Sequence, residues 1–292
     1  MGVALSLLVS CSGKKSVSLT EAVVEDSLVL EDSLIGEPMV NRVSLQIVLP
    51  TDAATDSTCG KIAEDILSEA SIGDSTRKIV DADSALMWLK DLLYDNARAD
   101  FADNVRTAGR IVALREKGED VTMPPFLSQG TETQLSTTAL QNDKGVLSLR
   151  LSAYQYSGGA HGNQIVKLMS YDLKTGDRLL LEDLFVDGYE PFTTDVIRQE
   201  LMVTYGYKSE EQMLMDGFFN IQGLKPTPNF CVKTDTIMFL YNAYEIATYS
   251  KGEVEVAIPM YRLRSVLKPE SRIVKNMMET KEEPERKVQF KP

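Results

Sequence analysis

The spacing of apolar residues predicts strands in both halves of the chain. Every second residue from 43 to 49 is valine, leucine or isoleucine, and Pro50 ends the run. A period of two is typical of a strand with one buried face. The same period, together with β-branched and aromatic content, predicts further strands at residues 131–140, 146–156, 166–173, 218–224, 231–241 and 254–258.

Apolar residues three and four positions apart predict helices at 60–70, from 83 or 84 towards 114, at 190–205 and at 210–215. In the longest of them, Leu86, Leu89, Leu93 and Ala97 share one face. The order of elements predicts an α+β fold. Its N-terminal part contains helices, and its C-terminal part is a mainly antiparallel sheet with a packed helix.

Composition divides the chain into five segments. Residues 1–11 are predicted to be a signal peptide, and the Ser-, Val- and acid-rich stretch 12–39 a flexible tether. An N-terminal α+β domain is predicted at 40–140 and a C-terminal domain at 141–268. Residues 269–292 are too polar to pack and are predicted to be a mobile tail.

The N-terminus has the features of an export signal. A short apolar run at residues 3–9 leads into Leu8-Val9-Ser10-Cys11, and a bilayer span would need about 20 residues. The motif resembles the bacterial lipobox, which implies a lipid on Cys11 and an exported chain anchored in the cell envelope, on the periplasmic side or the outer surface. No lysine or arginine precedes Cys11, unlike the usual signal. A chance match in a disordered N-terminus is the alternative.

Charge and histidine content exclude several classes of function. The net charge of -12 repels phosphate backbones, so nucleic acid is not an expected partner. The charge would suit a cationic partner, although acidity also serves solubility. His161 is the only histidine, which excludes sites with several histidine ligands. No phosphate-binding or nucleophile motif occurs, so we expect no metal, no cofactor and no catalytic residue.

Two cysteines remain beside Cys11. In an exported protein, Cys59 and Cys231 could form one disulfide. The alternative is a pair of buried thiols.

A glycine-dense stretch lies at residues 154–163, with three glycines in the five residues 158–162. Such density suits a tight crossing or a closely approached backbone. His161 is interpreted as a structural loop histidine, and the alternative is an acid–base pair with Glu245 or Asp183. Several tyrosines could line a sugar-stacking groove or complete the edge of the core: Tyr154, Tyr156, Tyr241, Tyr244 and Tyr249.

The motif Tyr-x-Tyr-x-Gly-Gly-Ala-His-Gly at 154–162 is followed by an aspartate-led turn at 172–176, Leu-Glu-Asp-Leu-Phe at 181–185 and Asn-Ala-Tyr-Glu-Ile at 242–246. This succession resembles the RsiV-like C-terminal domain family (domain of unknown function 3298), over residues 146–267. The region before it has the position of that family's usual partner domain.

The resemblance implies an extracytoplasmic protein or lipoprotein, in a family whose domain is not known as an enzyme. Its named member is a membrane receptor for lysozyme, and similar domains accompany a peptidoglycan deacetylase domain. No sigma-binding segment is evident here, so sigma-factor regulation is not carried over.

We therefore expect a lipoprotein that binds or senses a lysozyme-like protein or cell-wall glycan. The alternatives are a glycan-acting hydrolase or deacetylase-associated protein using His161, and a purely structural lipoprotein. The residues expected at the binding or structural loop are Tyr154, Tyr156, Gly158, Gly159, His161, Asn163, Tyr244 and Glu245.

Overall fold

The computed structural model describes residues 16–71, 81–219 and 221–278, so Cys11 and the predicted signal peptide lie outside the described residues. The described strands are β1 Leu19–Leu30, β2 Met39–Pro50, β3 Glu132–Asp143, β4 Val146–Tyr156, β5 Asn163–Asp172, β6 Phe230–Lys233, β7 Thr236–Tyr241 and β8 Val254–Pro259. The helices are α1 Ser57–Glu69, α2 Ala82–Glu116, α3 Leu181–Leu184, α4 Glu190–Tyr205, α5 Glu210–Met215 and α6 Arg272–Met277.

The strands form a five-stranded sheet, ordered β1-β2-β3-β4-β5, and a three-stranded sheet, ordered β6-β7-β8. Strands β2 and β3 pair in parallel, and the other pairs are antiparallel. Strands β2 and β3 can be parallel because α1 and α2 lie between them in the chain. These helices return the chain to the end of the sheet at which β2 began. The predicted α+β class is confirmed.

Different elements pack on the two faces of the five-stranded sheet. The alternating residues Val43, Leu45, Ile47 and Leu49 of β2 pack against α1 and α2 on what we call the helix face. The opposite, outer face is partly covered by the three-stranded sheet, since Val166 and Leu168 of β5 share a cluster with β6 and β7. The period of two therefore places one row of side chains in each layer.

A closed set of buried hydrogen bonds joins the two sheets. The Ser148 and Ser170 hydroxyl oxygens lie 2.7 Å apart, and Ser148 Oγ donates to the Val232 carbonyl oxygen at 2.5 Å. The Val232 N–H donates to Ser170 Oγ at 2.9 Å. Because all three residues are at most 1% exposed, these partners satisfy groups that water cannot reach.

The prediction of a flexible tether at residues 12–39 is wrong for the residues of β1. Residues 19–30 form an edge strand that pairs with β2 along its whole length. Ala22 is the only residue of β1 that is buried, so the sequence has no clean alternation to indicate a strand. The prediction of a mobile tail at residues 269–292 is also wrong for the residues of α6, because this helix buries Ile273, Val274 and Met277 in the C-terminal core.

The predicted boundary between residues 140 and 141 falls inside β3, in the middle of the five-stranded sheet. Two strand predictions also differ from the structure. Residues 221–223 form a 3-10 turn, and the predicted strand 231–241 is the hairpin of β6 and β7.

No disulfide joins Cys59 and Cys231, which corrects that prediction. Cys59 lies on α1 in the core of the helix face, whereas Cys231 lies on β6 against the outer face. The sheet between them keeps the thiols apart. Burial raises the pKa of the Cys231 thiol to about 12. Among the described helices, none has the length and apolar character that a membrane crossing requires.

Candidate functional site

The loop at residues 157–162, here called the glycine loop, connects β4 to β5 and is held by side chains at its base. Gly158 and Gly159 have φ values of +106° and +94°, which residues with a Cβ rarely adopt. The Tyr156 hydroxyl donates to the Gly159 carbonyl oxygen at 3.0 Å and accepts from Gln129 Nε2 at 3.2 Å. The loop is therefore a hairpin connection whose backbone is held at Gly159 by the Tyr156 side chain.

Gly162 is the buried end of the glycine loop. A Cβ added there would lie 2.4 Å from ring atoms of Tyr154, so only glycine fits against that phenol. The Gly162 carbonyl oxygen accepts a hydrogen bond from the Tyr249 hydroxyl at 3.0 Å. It also lies 3.0 Å from His161 Nδ1, which donates when that nitrogen carries the proton.

Three aromatic side chains form a row beside this carbonyl, which we call the aromatic ladder. The rings of His161 and Tyr249 stack with centroids 4.2 Å apart and planes inclined by 24°. Tyr244 follows, with its ring centroid 5.6 Å from that of Tyr249. His161 and Tyr244 are exposed and Tyr249 is half-buried, so the ladder presents aromatic surface to solvent.

Tyr244 is held in an uncommon backbone conformation. Its φ is +69°, in the left-handed region that bulky residues rarely adopt, and its side chain is 60% exposed. The surrounding turn fixes it, because the Tyr244 N–H donates to the Ala247 carbonyl oxygen at 3.1 Å and Glu245 Oε2 accepts from the Asn242 N–H at 3.0 Å. Strain of this kind is concentrated at functional sites.

Two asparagines attach this region to the backbone of β5. Asn242 Oδ1 accepts from the Val166 N–H at 2.7 Å, and its Nδ2 donates to the Val166 carbonyl oxygen at 3.0 Å. Asn229 Oδ1 accepts from the Leu168 N–H at 2.7 Å. These side chains therefore act in place of a sixth strand at the edge of β5 and position Tyr244 beside the glycine loop.

Neither proposed carboxylate partner contacts His161. Asp183 Oδ2 accepts from the Leu180 N–H at 2.7 Å and caps α3, and Glu245 is engaged by the Asn242 N–H. The acid–base pair considered from the sequence is therefore not formed. Across residues 16–71, 81–219 and 221–278, no group of three or more His, Cys, Asp or Glu side chains could hold a metal ion.

The structure divides the other predicted site residues between core and surface. Tyr154 and Tyr156 are half-buried, and Asn163 is exposed at the start of β5. Tyr241 belongs to the core, where its hydroxyl donates to the Lys225 carbonyl oxygen at 2.6 Å and burial raises its pKa. The core alternative therefore applies to Tyr241. Asn229 was not singled out from the sequence, because its partner is 61 residues away.

Comparison with known proteins finds a family model that matches part of this region. Residues 182–261, which include the Tyr244 turn and end beyond β8, match the model described as protein of unknown function DUF3298. The curated protein peptidoglycan-N-acetylmuramic acid deacetylase PdaC of Bacillus subtilis is 27% identical over 130 residues, which are 43% of this chain and 27% of the relative. An esterase of Mycobacterium tuberculosis is 24% identical over 157 residues, which are 52% of this chain and 63% of the relative. The chain spans less than two thirds of the length of both.

Two solved structures share the fold. A DUF3298 family member from Bacteroides fragilis aligns with a TM-score of 0.70 at 21% identity, over 90% of this chain and 99% of the other. A DUF3298 family protein from Pseudomonas aeruginosa aligns with a TM-score of 0.57 at 18% identity, over 90% and 98%. The chain thus matches the DUF3298 model over residues 182–261 and shares its fold with two solved proteins of that family.

Proposed function

We propose that this chain is a non-catalytic binding module of the bacterial cell envelope that recognises cell-wall glycan at the aromatic ladder. The observation that carries the proposal is the row of exposed His161, half-buried Tyr249 and exposed Tyr244, in which Tyr244 has a φ of +69°. Aromatic rings offer apolar faces, and tyrosine adds a hydroxyl that can bind water or a sugar. A row of such rings suits the alternating apolar and hydroxylated surfaces of a saccharide.

The surroundings of His161 favour binding over catalysis. A catalytic histidine commonly works with a carboxylate that is hydrogen-bonded to its ring. Among the described residues no carboxylate is bonded to the His161 ring, and Nδ1 lies against the neighbouring Gly162 carbonyl. The imidazole is oriented by stacking on Tyr249. The similarity to a peptidoglycan deacetylase supports peptidoglycan as the material bound.

A basic, lysozyme-like protein is the second candidate ligand. The net charge of -12 favours it, because complementary charge accelerates encounter with a cationic partner. Glycan recognition should depend on the aromatic ladder and persist in salt. Attraction between net charges should weaken as salt screens them, over a Debye length of about 8 Å at physiological ionic strength.

We further propose that the module is anchored by a lipid on Cys11, as the Leu-Val-Ser-Cys motif indicates. Two or three acyl chains would hold it firmly, at about 0.8 kcal/mol for each buried CH₂ group. Metabolic labelling with a radioactive fatty acid tests this proposal. The wild-type chain should carry label and Cys11→Ala should not, and an unlabelled wild-type chain would rule the anchor out.

Cosedimentation of the full chain with purified peptidoglycan tests the glycan proposal. Tyr244→Asn removes the outermost ring while keeping a residue that tolerates positive φ, so the turn should keep its shape. Tyr261→Asn is the matched control, since Tyr261 is 56% exposed on a different turn. We expect Tyr244→Asn to weaken binding by about tenfold, or about 1.4 kcal/mol, and Tyr261→Asn to leave it unchanged.

Absence of wild-type binding, or equal binding by Tyr244→Asn, would refute glycan recognition at the ladder. Binding of a lysozyme that disappears in high salt, without peptidoglycan binding, would support the second candidate in its place.

A further inference from the structure

A polar groove crosses the part of the outer face that the three-stranded sheet leaves open. This open groove has a volume of about 390 Å³, within the range of about 300–1,000 Å³ that is usual for small-molecule sites. Its lining comes from four neighbouring strands, β2 to β5. The lining residues are Ser44, Gln46, Glu132, Gln134, Leu135, Ser136, Ser152, Tyr154 and Gln164.

The register of the sheet arranges these side chains in rows. Ser44 pairs with Gln134, Gln134 with Tyr154 and Tyr154 with Gln164, so one row runs straight across four strands. Ser136 and Ser152 pair in a second row beside it. Directly opposed positions place their Cβ atoms about 5 Å apart, so the rows form a continuous polar floor.

The chemistry of this floor selects against charged ligands. The lining contains no lysine, arginine or histidine that could bind a phosphate or carboxylate. Its one carboxylate, Glu132, already accepts from Gln134 Nε2 at 2.7 Å. The remaining polar groups are neutral amides and hydroxyls, which can both donate and accept.

Several of these groups have hydrogen-bonding capacity to spare. Within the part of the chain that the structure describes, the Ser44 and Ser136 hydroxyls and the Gln134 amide oxygen make no side-chain hydrogen bond to protein. Gln164 makes only a long contact to Ser152, at 3.4 Å. A ligand with many hydroxyl and amide groups would therefore find matching partners along the groove.

The groove meets the aromatic ladder at one residue. Tyr154 lines the groove, and its ring lies against Gly162, where an added Cβ would come within 2.4 Å. The Gly162 carbonyl oxygen in turn accepts from the Tyr249 hydroxyl at 3.0 Å. The groove and the ladder are therefore adjacent, because Tyr154 of the groove and Tyr249 of the ladder both contact Gly162.

We infer that this groove is a binding site for consecutive uncharged sugar units of a glycan strand, which continues from the ladder across β5, β4, β3 and β2. The inference rests on the proposed function. It adds the class of ligand, which is neutral and polyhydroxylated, and the direction in which the bound glycan crosses the sheet. A longer oligosaccharide should then bind more tightly than a short one, because only the longer one reaches the groove.

Calorimetric titration of the full chain with β-1,4-linked N-acetylglucosamine oligomers of two to six units tests this inference. Gln134→Ala removes the central amide of the row. Gln155→Ala is the control, because Gln155 is also exposed but lies on the other face of β4. Affinity of the wild type should rise with oligomer length. Gln134→Ala should reduce affinity for the longest oligomer by about three- to tenfold and leave the dimer unaffected, while Gln155→Ala changes neither.

Wild-type affinity that does not depend on length, or a Gln134→Ala variant that binds every oligomer as the wild type does, would overturn the groove assignment. The proposed function would survive that result if peptidoglycan binding still depended on Tyr244. Equal or tighter binding of a sulfated oligosaccharide would overturn the assignment to uncharged ligands. Melting temperatures of both variants within a degree or two of the wild type would show that lost affinity is not lost folding.

Discussion

His161 and Tyr249 share one hydrogen-bond acceptor, because His161 Nδ1 and the Tyr249 hydroxyl each lie 3.0 Å from the Gly162 carbonyl oxygen. Their rings stack 4.2 Å apart. One residue comes from the glycine loop and the other from the segment between β7 and β8, so this contact joins two distant parts of the chain. The imidazole is thereby oriented by an aromatic ring and a backbone carbonyl.

Gly162→Ala should loosen this junction. The added methyl group would meet the Tyr154 ring at 2.4 Å, so either the ring or the loop must move. Overpacking of this kind costs about 1–3 kcal/mol. Gly109→Ala on α2 is the contrasting variant, because its methyl group would lie at an ordinary 3.7 Å from Leu34 Cδ1. Thermal unfolding should show Gly162→Ala less stable than the wild type.

Gly109→Ala should be more stable than the wild type, by about 0.4–1 kcal/mol. A Gly162→Ala variant as stable as Gly109→Ala would contradict the tight contact with Tyr154.

Ser170→Ala should weaken the attachment between the two sheets. The Val232 N–H donates to Ser170 Oγ, and Val232 is fully buried. Removing the acceptor leaves a donor that water cannot reach, at a cost of about 1–3 kcal/mol. Ser136→Ala, whose hydroxyl has no protein partner among the described residues, should change stability by less than about 0.5 kcal/mol. Chemical denaturation of both variants checks this, and equal stabilities would count against the buried network.

Glu69 should make stability depend on pH in the acid range. Burial raises its pKa, but the hydrogen bond from Lys167 and the charge of Arg178 outweigh burial and hold it below the ordinary value of 4.5. Glu69 Oε2 lies 2.7 Å from Lys167 Nζ, and Oε1 lies 2.8 Å from Arg178 Nη1. Because the pKa of Glu69 is lower in the folded state than in the unfolded state, its charge stabilises the protein at pH values above the unfolded-state pKa. This stabilisation is lost as the pH falls through the folded-state pKa.

Glu69→Gln should therefore destabilise the protein at pH 7, and the difference from the wild type should shrink below about pH 4.5. Glu64→Gln is the control, because Glu64 is exposed on the same helix. Urea unfolding at a series of pH values measures both. A difference that stays constant from pH 7 to pH 3 would show that the Glu69 charge does not contribute.

The parts of the fold that local pattern encodes were predictable. Two such patterns are the alternation at 43–49 and the apolar face of α2, which are visible in residues close together in sequence. Both elements are present in the structure. β1 was not predictable because only Ala22 is buried in it. Val24 and Leu28 are half-buried against the core, but the exposed Val23 and Val29 on the other face obscure the period of two. The domain boundary was wrong because β4 and β5 complete a sheet begun by β1 and β2, a relationship that local sequence does not contain.

The candidate site shows the same division. The glycine density at 158–162 predicts the loop, and the motif at 242–246 predicts Tyr244 as a site residue, although neither predicts its φ of +69°. The stack of His161 on Tyr249 and the polar groove depend on pairs of residues far apart in sequence. Ser44 and Gln134 become neighbours only through the parallel pairing of β2 and β3, so no local motif could indicate the groove.

The most direct test of glycan binding at the ladder uses the chain's single histidine as its own reporter. NMR spectra of the imidazole can be recorded for the full chain while soluble peptidoglycan fragments are added. His161→Gln identifies the signals by their absence. We predict a saturable change in the His161 ring resonances, with the fragments recovered unaltered. Resonances that stay unchanged at every concentration, or fragments cleaved by the wild type but not by His161→Gln, would contradict a binding surface without catalysis.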